Sequence, residues 1–116
     1  MDTKVIIDKL NIAIELAKRT MAAYVNNKPD FNTISLDEAK IYYDEANEAT
    51  QYFLQLDEIR NEIFKQMIAF NNAKFDQAIQ DMIEYIKKIG GIVDNLEIAS
   101  EALKYIADIL VVFGAI

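Results

Sequence analysis

Apolar side chains recur every three or four residues along almost the whole chain, and no stretch alternates as a strand would. The spacing predicts an all-α, elongated, mostly antiparallel four-helix bundle, with helices over about residues 3–26, 36–71, 73–89 and 92–113. In the first helix Ile6, Leu10, Ala13, Ala17 and Tyr24 share one face, and Asn11, Glu15, Lys18 and Ala22 lie opposite. Pro29 closes that segment, because a proline bars the preceding residue from helical geometry. A loop then runs to Ser35.

Ser35-Leu36-Asp37-Glu38 reads as a capping box, with the serine hydroxyl positioned for the Glu38 amide and the carboxylate for the Ser35 amide. From there a seam runs without glycine or proline through Ala39, Tyr42, Ala46, Ala49, Phe53, Leu56, Arg60, Ile63, Met67 and Phe70. Only Arg60 interrupts it. The pattern predicts one unusually long helix to about Asn71, and a break near Leu54–Asp57 with Asp57 as a new cap is the alternative. The third helix has the stripe Phe75, Ala78, Ile79, Met82, Ile86 and Ile89, and Gly90-Gly91 ends it after Lys87-Lys88. Asp94 with Glu97 can cap the restart.

The fourth helix carries two seams. One is Ile92, Leu96, Ala99, Leu103, Ile106, Leu110 and Phe113. The second, offset around the helix, is Ile98, Ala102, Tyr105, Ile109, Val112 and Ile116. Both follow the spacing of helix–helix contact, so this helix is suited to two neighbours. Residues 109–116 contain no polar side chain, which requires burial in the fold, in a partner or at a membrane.

Composition narrows the chemistry. The 116 residues are 53% apolar and 27% charged, the balance of one globular domain over residues 1–116. The absence of cysteine removes disulfides, thiolate metal sites and cysteine nucleophiles, and the absence of histidine removes the commonest general base and transition-metal ligand. The sequence therefore points away from an enzyme and from a resident metal or cofactor. Net charge is −7, with Arg19 and Arg60 the only arginines, which argues against a nucleic-acid partner. Residues 36–72 hold three basic and eight acidic groups, so the acidity belongs mainly to the second helix. Neither a signal peptide at Met1–Ile7 nor a run of the ~20 apolar residues that span a membrane is present, and a cytoplasmic location is expected.

Two constellations resemble known families. Glu45-Ala46-Asn47-Glu48 and Asp81-Met82-Ile83-Glu84 are similar to the paired acidic motifs of all-helical MazG-type nucleotide pyrophosphohydrolases, which implies Mg²⁺ held between facing helices. The second pair is reversed relative to that family. Lys74–Glu84, in which Ala78 follows Phe75 by three residues, resembles the second helix of a tetratricopeptide repeat, and Leu36–Asp44 resembles it again. The two are 39 residues apart, and the tryptophan, Leu-Gly pair and closing proline of that repeat are missing.

The expected function is non-catalytic protein–protein interaction, as a small acidic antagonist, immunity protein or adaptor that binds a protein partner or a second copy of itself. The expected contact residues are Ile98, Tyr105, Ile109, Val112 and Ile116 on the fourth helix, with the acids Asp44, Glu45 and Glu48 on the second. A membrane-active helical protein related to pore-forming toxins is the alternative from the apolar tail. Asp108 within that run and the lack of flanking basic residues weigh against it.

Overall fold

Side-chain caps open all four helices of the computed structural model, which describes residues 2–116. Asp2 accepts from the Lys4 amide at α1 (Thr3–Asn26), and Ser35 from the Glu38 amide at α2 (Leu36–Lys65). Asn71 accepts from the Lys74 amide at α3 (Asn72–Lys88), and Asn95 from the Ile98 amide at α4 (Leu96–Val112). Each cap satisfies one of the amides that a helix start leaves without a partner. At Ser35 the box forms by half: the Glu38 carboxylate meets the serine hydroxyl, 3.4 Å away, and not the serine amide. At α4 it is Asn95, one residue after Asp94, that caps.

Cross-contacts set the helix directions. Tyr42 meets Tyr24 and Arg60 meets Asn11, so α2 runs against α1. Lys9 pairs with Asp76 and Arg19 reaches Gly91, so α3 runs with α1. Tyr85 reaches Ile98 while Phe75 packs on Phe113, so α4 runs against α3. The bundle is up-down-up-down, but it is not square. Among the described residues every pair of helices is in contact except α2 and α3. The pair α1–α4 forms the short diagonal of a rhombus, with α2 and α3 at its far corners. The flattened shape, 50 × 26 × 18 Å, follows from that arrangement.

The main core gathers Leu10, Leu56, Phe75, Met82, Ile106 and Ile109 from all four helices. A smaller cluster of Ala23, Tyr24, Ala49, Ala99 and Leu103 closes the end where α1 gives way to the 27–35 loop. Small residues there let α1, α2 and α4 approach closely. Arg60, the one charge in the long seam, donates to Asn11 and to Asp57 at the bundle edge, keeping its charge out of the core.

The second helix is shorter than its sequence pattern predicts. It runs unbroken through Leu54–Asp57 but stops at Lys65, and Gln66 is extended (φ −161°, ψ 153°). No glycine or proline causes the stop. The cause is topological: α3 begins on the far corner, so Gln66–Asn71 must cross the end of the bundle. Six extended residues cover about 20 Å, whereas the same six as helix advance only about 9 Å. Ile68 and Phe70 fold back onto the core during that crossing, and Met67 stays exposed. At the other connection Gly90 and Gly91 both take positive φ (66° and 74°), and the Gly91 carbonyl accepts from Arg19 of α1 at 2.8 Å.

One resemblance does not survive the topology. The stretches similar to tetratricopeptide helices lie on α2 and α3, which do not touch and so cannot stack as successive repeats. Among the described residues no helix is long and apolar enough to cross a membrane.

Candidate functional site

The second seam of α4 faces inward. Ile109 is 0% exposed and belongs to the main core, so it offers no surface to a partner. Ile98, Tyr105 and Val112 are half-buried against the same core. The Tyr105 ring stacks on Tyr85 of α3 at 4.4 Å and 18°, and the Tyr85 hydroxyl donates to the Ile98 carbonyl at 2.9 Å. The seam expected to meet another chain is therefore filled largely by α3. The reason lies in the rhombus: α4 sits on the short diagonal and touches three helices, not two. Only Ile116 of the five apolar candidates is exposed, at 52%.

The acidic candidates divide in the same way. Glu45 turns inward, its Oε2 accepting from the Tyr24 hydroxyl (2.8 Å) and its Oε1 from the Ser100 hydroxyl (3.1 Å). Tyr42 adds a hydrogen bond to the Tyr24 carbonyl at 2.6 Å. One carboxylate thus clamps α1, α2 and α4, with each of its oxygens taken by one hydroxyl. Glu48 accepts from the Tyr52 hydroxyl one turn along α2. Asp44 remains on the surface, paired with Lys40 at 3.0 Å. Tyr24 and Ser100, which complete the clamp, carry no signal in the sequence that pairs them with Glu45.

These surroundings hold the tyrosines neutral. Burial first, then the hydrogen bond to Glu45 and its charge, push the Tyr24 hydroxyl well above its ordinary value. Tyr52 is pushed up to about 12 by burial and then by Glu48, and Tyr85 to about 12 by burial and then by the Glu101 charge. Burial also raises Tyr42. In the unfolded chain tyrosines ionise near pH ~10, so their contribution is complete below that pH and is lost as pH climbs toward 12. The melting temperature is expected to hold to about pH 10 and then fall steeply. Tyr24→Phe should flatten the fall. Thermal melts from pH 8 to 11.5, with tyrosinate absorbance followed in parallel, check this, and an unchanged slope in the variant would count against the clamp.

The metal geometry implied by the MazG resemblance is not assembled. Glu45 and Glu48 line a groove of about 230 Å³ between α2 and α4. Asp81 and Glu84 line another, of about 340 Å³, between α3 and α4 with Tyr85, Lys88 and Tyr105. Because α2 and α3 do not touch, the two pairs never face one another. Among the described residues no three acids converge in a way that could hold a metal ion.

What stands open is the outward face of α2. Leu36 is 90% exposed, Leu54 53% and Tyr43 50%, and steps of seven and eleven residues put all three on nearly one line of the helix. Phe31 of the 27–35 loop stacks on Tyr43 at 5.2 Å and 10°, which holds that ring in place. Asp44, Glu58 and Glu62 lie beside the line. With α3 on the opposite corner, no other helix among the described residues packs on this face. No protein-family model, curated protein or solved structure matches this chain.

Proposed function

We propose that the chain is a non-catalytic protein-binding module, a small acidic antagonist or adaptor acting in the cytoplasm, and that its contact face is the outward side of α2. The observation that carries this reading is the line Leu36–Tyr43–Leu54 on a side of α2 where no other described helix packs. Single exposed apolar residues are ordinary on a protein surface. Three at helical spacing supply the row of anchors that helix-in-groove recognition uses. The excess of acids over residues 36–72 adds steering toward a basic partner.

Leu54→Asp tests the proposal. Leu54 lies off the core, so stability should change by no more than about 0.5 kcal/mol. A charge at this end of the row should abolish pull-down of the partner from the native host, with the solution mass of the purified protein measured alongside. A variant that melts normally and still retains every wild-type partner would remove α2 as the contact face.

A further inference from the structure

We propose that a pocket beside the outward face of α2 receives an arginine side chain from a basic partner segment, an inference that rests on α2 being the contact face. The pocket lies where the last turns of α2 meet the 66–71 crossing and the segment after α4. It encloses about 320 Å³ and is lined by Gln55, Glu58, Ile59, Glu62, Ile68 and Ala115. That volume is at the lower limit of the ~300–1,000 Å³ pockets that take whole small molecules, and it suits one long side chain. Glu58 follows Leu54 by one turn, so the pocket continues the apolar row.

Three features select the occupant. Ile59, Ile68 and Ala115 form an apolar wall against which a methylene stem can lie. Glu58 and Glu62 stand one turn apart on the rim. Glu62 is loosely paired with Lys65 at 3.7 Å, while Glu58 has no ion-pair partner among the described residues. The third feature is Gln55, whose side-chain Oε1 is enclosed and receives no hydrogen bond, the one such side-chain atom among the described residues. A buried acceptor without a donor is costly, and Gln55, itself part of the pocket wall, relieves that cost by turning its amide toward a bound N–H. A guanidinium has five donors in one plane, enough to serve a carboxylate with two and the amide with another. A lysine ammonium is a point charge and matches the site less well, and a phosphate or carboxylate ligand is repelled by the rim.

A second copy of the chain does not supply this group. Its only arginines are Arg19 and Arg60. Arg19 is engaged with Gly91 and Glu15, and Arg60 with Asn11 and Asp57. Two α2 faces would also bring like charges together. The occupant is therefore a different, arginine-bearing chain.

The test uses the full isotope-labelled chain and three synthetic amphipathic peptides with one leucine face, their polar positions filled with arginine, lysine or glutamate. The arginine peptide should shift the amides of Gln55, Glu58, Glu62 and Ile68 together with those of Tyr43 and Leu54. Glu58→Gln with Glu62→Gln should weaken it about tenfold, and Gln55→Leu should narrow its advantage over the lysine peptide. The glutamate peptide should leave all these signals in place. Shifts confined to Leu36, Tyr43 and Leu54, or equal binding of all three peptides, would overturn the pocket while leaving the α2 face standing. If no peptide moves any α2 amide, the contact face falls with it.

Discussion

A chain ended after Asp108 is expected not to fold. Ile109 and Leu110 are fully buried, and each lies in the core that joins all four helices. Truncating a buried isoleucine or leucine costs about 2–5 kcal/mol. Losing both side chains therefore removes about 4–10 kcal/mol from a domain whose whole stability is of order 5–15. The same deletion takes Val112 and the Phe113 ring, which packs on Phe70 at 4.7 Å. Circular dichroism should show a broad, non-cooperative melt, and a hydrophobic dye should bind at room temperature. Ending after Phe113 instead removes only Gly114, half-buried Ala115 and exposed Ile116, and should leave a cooperative transition. If the Asp108 truncation melts cooperatively but loses partners, the tail is an interface and the packing argument fails.

That contrast marks how far the sequence could be read. Periodicity identifies both seams of α4 and predicts two neighbours for them, but it cannot say whether a neighbour belongs to the same chain. The answer depends on the rhombic cross-section, which depends on contacts between residues far apart. The start of α2 at Ser35 was legible because a cap is local. Its end was not: Met67 and Phe70 keep the helical spacing, and only the distant position of α3 forces the chain to extend after Lys65. Glu45 is similar. Its place beside the apolar stripe is visible on a helical wheel, yet the hydroxyls that claim it lie 21 and 55 residues away. The outward row Leu36–Tyr43–Leu54 was within reach, since all three residues fall off the seam. Read by the seam alone, α2 has one apolar face, and the second one escapes attention.

Phe75→Ala should be the most damaging single substitution in the crossing region, at about 3–5 kcal/mol for the lost ring. Phe75 is fully buried and meets Phe70 edge-on at 5.4 Å and 80°, and Phe113 at 5.4 Å and 74°. Such aromatic pairs are worth about 0.5–1.5 kcal/mol each beyond their buried area. The three rings come from the crossing, from α3 and from the end of α4, so this cluster ties together segments that share no helix. In urea the midpoint should fall with the slope unchanged, because the same surface is exposed on unfolding. Hydrogen exchange should reveal more. Residues 67–70 have no helical ladder, and Ile68 and Phe70 are what fasten them to the core. Their exposed backbone should open before the helices do, so amides there should exchange faster in the variant by a larger factor than those of α1. Uniform acceleration across the chain would mean that the rings add stability without anchoring the crossing. Selective opening would carry a consequence for recognition, since Ile68 is also a wall of the pocket beside α2: a substitution on α3 would then weaken the arginine peptide without touching it.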